Sequence, residues 1–174
     1  MNDLELKDHI RGIPDFPIPG ILFYDISTLL SNPEAWKFAL DELEKIVAEW
    51  SPDILAGIES RGFLLAAPLA DRMSLPMTMI RKKGKLPGDV VSYEYELEYG
   101  TDVIEIQSDA ISPGQKVVIL DDLLATGGTL QASIHLCKQV GAEVVGSAVI
   151  VELDFLNGKE NLGVSFNSLV NYDQ

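Results

Sequence analysis

Residues Val117–Thr129 read "VVILDDLLATGGT": four branched aliphatics run into two adjacent aspartates, and a few residues later two glycines stand between two threonines. The aliphatic run has the length and β-branched content of a buried parallel strand. The Gly-Gly pair lets the chain turn tightly before a periodic segment that begins at Leu130. In a strand, loop and helix unit the loop lies at the carboxyl end of the strand, where open α/β sheets bind ligands. The amides of Thr126 to Thr129 would open the helix and form a phosphate cradle. Gly127 and Gly128 allow close backbone approach and unusual φ, and the hydroxyls of Thr126 and Thr129 can add donors. Asp121 and Asp122 would repel a phosphate unless they face something else, and sugar hydroxyls or a bridging divalent cation are the natural candidates. The stretch therefore asks for a phosphorylated sugar. A plain turn with a helix cap needs one glycine and one carboxylate, not this whole set. Neither the Gly-Lys-Ser/Thr of nucleoside triphosphatases nor the three spaced glycines of the dinucleotide fingerprint occurs.

Composition limits what such a site can belong to. At 174 residues the chain is expected to be one domain with a sizeable core. Hydrophobic residues make up 47%, yet no apolar run reaches the ~18 residues of a membrane span, so no membrane partner is expected. The opening "MNDLELKDHI" carries early acids and no apolar signal core, which makes the cytoplasm the expected location. Thirteen basic against 27 acidic residues leave a net charge of −14, a field that a nucleic-acid-binding surface would have to overcome. Cys137 stands alone in an amphipathic stretch and reads as packing.

No linker, repeat or low-complexity segment interrupts the chain. Residues Pro33 to Trp50 read as a helix capped by Ser31 or Asn32, with Trp36, Leu40, Leu43, Val47 and Trp50 on one apolar face. "DILAGI" reads as a strand, "GFLLAAPLADRM" as a helix interrupted or bent at Pro68, and "PMTMIR" as another strand. Gly141 ends the helix after the phosphate loop, and "VVGSAVIVEL" supplies a further buried strand. This alternation predicts an α/β fold with a mostly parallel, twisted sheet flanked by helices on both faces.

Positive charge is scarce, so its concentration carries information. "IRKKGKLPG" puts Arg81, Lys82, Lys83 and Lys85 within five positions directly after a predicted strand, on the same sheet edge as the phosphate loop. "ESRG" lies between another strand and helix, with Ser60 beside an Arg61 able to grip phosphate oxygens bidentately. One terminal phosphate needs only the threonine–glycine loop, so the extra cations point to a larger anion such as pyrophosphate. Residues Lys83 to Glu96 hold Gly84, Pro87, Gly88 and Ser92 with little apolar content and read as a mobile lid.

The stretch around "DDLLATGGT" resembles the 5-phosphoribosyl-1-pyrophosphate motif of the type I phosphoribosyltransferases. The resemblance extends to "DFPIPGILFYDIS", "ESRGF", "RKKGKLPG" and "YELEYGTDVIEIQSDAISPGQKV" in matching order, and "KLPG" with "LEYG" is similar to the adenine-specific members. It implies one domain with a hood at about residues 1–30 and a lid at about 83–100, and transfer of phosphoribose to adenine with release of AMP and pyrophosphate in purine salvage. It also implies that Asp121 and Asp122 hold the ribose, that Ala125, Thr126, Gly127, Gly128 and Thr129 hold the 5′-phosphate, and that Ser60, Arg61, Arg81, Lys82 and Lys85 hold the pyrophosphate. Magnesium would ride on the substrate, with no direct protein ligand and Asp121 reaching it through water. Leu22, Phe23 and Tyr24 match the hood segment that stacks on and reads adenine. Tyr24 departs from the basic residue usual there. The glutamate of "LEYG", here Glu98, would handle the adenine proton, although Glu94, Glu96 and Glu98 also alternate as the wet face of a strand would. Homodimers are implied as well. Two alternatives stay open: a transferase for hypoxanthine, guanine or orotate, and a non-catalytic regulator that senses phosphoribosyl pyrophosphate.

Overall fold

A computed structural model describes residues 3–97 and 100–173. The chain opens with a short helix α1 (Asp3–Lys7), an antiparallel pair β1 (Arg11–Pro14) and β2 (Leu22–Asp25), and a single-turn helix α2 (Ser27–Leu30). Then come α3 (Pro33–Glu49), β3 (Ile54–Ile58), α4 (Gly62–Met73), β4 (Met77–Lys82), β5 (Val90–Glu96), β6 (Thr101–Gln107) and β7 (Lys116–Leu124). The chain continues through α5 (Gly128–Gln139), β8 (Glu143–Leu153), two 3-10 turns at Asp154–Leu156 and Gly158–Asn161, and β9 (Phe166–Tyr172).

The main sheet runs β5-β6-β4-β3-β7-β8-β9, with β4, β3, β7, β8 and β9 parallel and the β5–β6 pair added antiparallel at one edge. Both faces are covered, which is why the inner strands are apolar without interruption. On β7, Val118 and Leu120 join Leu43 and Val47 of α3 and Leu65 and Leu69 of α4 in one core. Val117 and Ile119 turn the other way and join Ile134, Leu136 and Cys137 of α5. Burial pushes the Cys137 thiol up to about 12, in keeping with a packing role. Among the described residues no helix is long and apolar enough to cross a membrane.

Local signals explain the helix ends. Asn32, rather than Ser31, caps α3 by accepting from the Ala35 amide at 3.0 Å, and Pro33 fits the first turn, where no amide partner is needed. Gly141, at φ +94°, follows α5 as expected.

Three expectations need correction. Of the two readings at Pro68, an interruption or a bend, the interruption is set aside: α4 runs on through the proline, because Leu65, Ala66, Leu69 and Ala70 bury a face against the sheet and outweigh one lost backbone hydrogen bond. Strand β7 is longer than the aliphatic run read as a strand. The eleven-residue β8 supplies ladder partners as far as Leu124, so Asp121 and Asp122 lie within the strand. The segment read as a lid is a loop only up to Asp89. From Val90 it is β5, paired along its whole length with β6, with Tyr93 and Tyr95 packed inward and Glu94 and Glu96 outward.

Candidate active site

The carboxyl ends of β3, β4 and β7 open into a cleft of about 660 Å³. Ser60, Arg61, Arg81, Lys82, Asp121, Asp122 and Thr129 line it, so residues from three separate sequence motifs converge there. Gly62 makes the convergence possible. A Cβ there would stand 2.6 Å from the Leu120 carbonyl oxygen, so only glycine lets α4 start this close to β7. The Glu59–Ser60 peptide bond preceding it is cis.

Each cation is held by a carboxylate. Arg61 Nε lies 2.5 Å from Asp122 Oδ2, whose side chain is 7% exposed. Arg81 Nε donates to Glu59 Oε2 at 3.2 Å, the Lys82 amide donates to the same oxygen at 2.9 Å, and Lys82 Nζ lies 3.5 Å from Asp102 Oδ2. Burial works against the charged Glu59, but the Lys82 amide and the Arg81 guanidinium outweigh it and hold its pKa below the ordinary value. Asp121 differs from its neighbour. Burial and then the Asp122 charge push its pKa well above the carboxylate range, and its Oδ1 accepts the Asp122 amide at 2.8 Å. The adjacent acids thus differ: Asp122 is ion-paired with Arg61, and Asp121 is held towards its neutral form by burial and its neighbour's charge. Lys85 stands on the exposed turn after β4, where its carbonyl accepts from Arg81 at 3.3 Å, its amide donates to the Lys82 carbonyl at 3.2 Å, and its charge helps to keep Glu59 ionised.

The loop read as a phosphate cradle is short, spanning Ala125 to Gly127 before α5 begins. Gly127 takes φ +87°, and a Cβ there would lie 2.5 Å from the Gly158 carbonyl oxygen. Among the described residues, only the Glu96 carbonyl oxygen, at 4.0 Å, comes near the would-be Cβ of Gly128. Thr129 Oγ1 is 3.2 Å from the Tyr95 hydroxyl.

Hood strand β2 presents two faces. Phe23 meets Phe16 edge-on at 5.1 Å and lies under the Arg61 guanidinium at 5.3 Å, on the cleft side. Tyr24 faces inward and stacks on Tyr172 of β9 at 3.9 Å, and Leu22 is 48% exposed. The Tyr24 side chain therefore joins hood to sheet edge, and any reading of a base at this position falls to its backbone. Glu98 lies outside the described residues, while its neighbour Leu97 lines the cleft.

Tyr95, Glu59 and Asp102 were not singled out by sequence reading. Tyr95 is one of an alternating Tyr–Glu run, and both acids owe their importance to cations many residues away. A larger hollow of about 850 Å³ lies between β5 and α5, lined by Tyr93, Gly128 and His135 among others. It borders the loop through Gly128 but holds neither aspartate, whereas both aspartates line the smaller cleft.

Residues 26–161 match the phosphoribosyl transferase domain model. The chain belongs to the phosphoribosyltransferase family. A curated relative, the adenine phosphoribosyltransferase of Rhodospirillum rubrum, is 62% identical over 170 residues, covering 98% of this chain and 99% of the relative. Among solved phosphoribosyltransferases, the adenine enzyme of Thermoanaerobacter pseudethanolicus superposes with a TM-score of 0.94 at 46% identity, over 97% of this chain and 99% of that one. The Saccharomyces cerevisiae enzyme, complexed with adenine and an imino-altritol bisphosphate, does so at 0.90 and 38%, over 96% and 97%. The family's central, mostly parallel sheet with flanking helices is the fold found here.

Proposed function

We propose that this chain is an adenine phosphoribosyltransferase of purine salvage, converting adenine and 5-phosphoribosyl-1-pyrophosphate to AMP and pyrophosphate. The observation that carries the reading is the meeting of the Asp121–Asp122 pair and the Arg61 and Arg81 cations at one cleft, which Thr129 also lines at the start of α5, directly after the Gly127–Gly128 pair. The relatives' shared specificity supports adenine as the base.

Breaking the C1′–O bond builds positive charge on the ribose, as in glycoside hydrolysis, and negative charge on the leaving pyrophosphate. Asp121 and Asp122 orient the ribose hydroxyls. Arg61, Arg81, Lys82, Lys85 and Ser60 meet the pyrophosphate, the ion-paired cations exchanging carboxylate for phosphate oxygens. Thr126 to Thr129 hold the 5′-phosphate through the start of α5. The hood residues Leu22 to Tyr24 receive adenine, with the Phe23 ring against the base, and Glu98 takes the proton released at N9.

Among the described residues no three metal-binding side chains converge. The donor set suits a magnesium ion carried by the substrate's oxygens, with Asp121 contributing through water. Bound so, the ion would offset charge on the leaving pyrophosphate. We further propose cytoplasmic location and a homodimer. A spectrophotometric screen of adenine, hypoxanthine, guanine, xanthine and orotate with phosphoribosyl pyrophosphate and magnesium tests the assignment. Turnover of adenine above the others is expected, and preference for another base, or none, would overturn it.

A further inference from the structure

The turn after β8 packs directly against the phosphate loop, and its anchor is a charge pair outside the cleft. A Cβ at Gly158 would stand 2.2 Å from the Ala125 carbonyl oxygen and 3.0 Å from the Gly127 nitrogen, so the two backbones touch. Gln131 of α5 donates to the Asn161 carbonyl at 2.9 Å and ties down the far end of the same turn. Between these contacts stands Lys159, whose Nζ lies 3.0 Å from Glu152 Oε1 and 2.6 Å from Asp154 Oδ1. Glu152 sits near the end of β8 opposite Leu124, its side chain is 5% exposed, and its other oxygen accepts from Ser168 of β9 at 2.7 Å.

We propose that Lys159 and Glu152 are positioning residues for the 5′-phosphate cradle: the sheet fixes Glu152, Glu152 fixes Lys159, and Lys159 holds the Gly158 backbone against the loop. The inference rests on the reading of that loop as the phosphate site. Glycine populates positive and negative φ about equally, so nothing in Gly127 itself keeps it at +87°. Contact with Gly158 supplies the missing restraint, since the loop amides point at one place only while the turn stays down. Most exposed ion pairs contribute little. This one joins a lysine to a nearly buried carboxylate that already holds a second hydrogen bond, so its geometry is fixed by the sheet. Asp154 first and Glu152 next raise the Lys159 pKa, so the cation persists across the working pH range.

The test compares wild type, Lys159→Met, Lys159→Arg and the double variant Glu152→Gln/Lys159→Met by calorimetry and steady-state kinetics. Ribose 5-phosphate, which carries the phosphate, and pyrophosphate, which binds elsewhere in the cleft, are the probes. Lys159→Met should weaken ribose 5-phosphate and raise KM for phosphoribosyl pyrophosphate on the order of tenfold, as small misplacements of positioning groups do. Pyrophosphate affinity and KM for adenine should stay within about twofold, which separates positioning from general destabilisation. Lys159→Arg should recover most of the loss. The double variant leaves no buried carboxylate unpaired and reads the missing anchor even if the single variant unfolds. Unchanged ribose 5-phosphate affinity in a folded variant lacking Lys159, or an equal loss for pyrophosphate, would overturn the proposal. Wild type that binds pyrophosphate but no ribose 5-phosphate would instead overturn the reading of the loop, and this inference with it.

Discussion

A Cβ on Gly127 would collide with the Gly158 carbonyl, whereas a Cβ on Gly128 would come near only the Glu96 carbonyl oxygen among the described residues. The two adjacent glycines therefore fail differently when replaced. Gly128 begins α5 without a positive φ, so valine there fits the backbone and, being no worse a helix former than glycine, costs the helix nothing. Its branched side chain would fill the space proposed for the phosphate. Gly128→Val should abolish phosphoribosyl pyrophosphate binding by calorimetry while the melting temperature falls by less than about 4 °C. Retained affinity would move the phosphate elsewhere. For Glu98, Glu98→Gln keeps shape but removes the proposed base, and kcat should drop by roughly 10²–10⁴-fold with little change in substrate affinity. If the residue only continues the wet face of β5 that Glu94 and Glu96 form, kcat measured with adenine varied at saturating co-substrate should stay within about twofold of wild type.

At the scale of elements, two joints deserve separate experiments. The β7–β8 ladder shifts register after Val117, so that Val118 pairs with Gly146, and there the Trp50 ring at the end of α3 lies directly on the strand. A Cβ at Gly146 would be 2.4 Å from two ring carbons. Gly146→Ala must displace that ring and should cost about 1–3 kcal/mol, seen as a lower urea midpoint with an unchanged slope. The second joint is the hood. Asp25, where β2 meets α2, accepts from Ser27 and pairs with Arg11 of β1, and the Ser27 and Arg11 hydrogen bonds pull its pKa from 3.8 to about 2. A carboxylate depressed in the folded state contributes stability above its unfolded pKa and loses it as pH falls through the folded one. Wild type should therefore exceed Asp25→Asn by about 1 kcal/mol at pH 7, a modest figure because Arg11 is half exposed. The gap should close between pH 4 and 2, the interval set by the two pKa values. A gap that persists at pH 2 in urea titrations would assign the difference to packing.

At the scale of the whole molecule, charge and apolar surface are unevenly spread. The chain carries net charge −14, yet Arg61, Arg81 and Lys82 gather at one cleft, each beside an acid. On the hood, Phe16, Ile18, Ile21 and Leu22 leave from 46% to 59% of their surface exposed. Such exposure suits burial by a partner, and the proposed homodimer should sediment at twice the 19.0 kDa chain mass at micromolar concentration. A fully active monomer would set the dimer aside.

The amino-acid order alone determined that strands alternate with helices, that the sheet is mostly parallel and doubly covered, and that a glycine-rich loop, proposed to hold an anion, follows β7. Those features are local, written in periodicity, caps and the adjacency of Asp121-Asp122 to Gly127-Gly128. Tertiary structure decided the rest. Strand β7 runs on through its aspartates because β8 offers ladder partners that far, and Val90–Glu96 is a strand because β6 returns to pair with it. Tyr24 serves the core because Tyr172, at the other end of the chain, meets its ring. Arg61, Arg81 and Lys82 look like free cations in sequence but are held by Asp122, Glu59 and Asp102 in space. Gly158 and Lys159 matter only because the turn after β8 folds back onto the loop after β7. Hydrophobic period and turn chemistry act between near neighbours in the chain, whereas ion pairing and close backbone contact are settled only when distant segments pack.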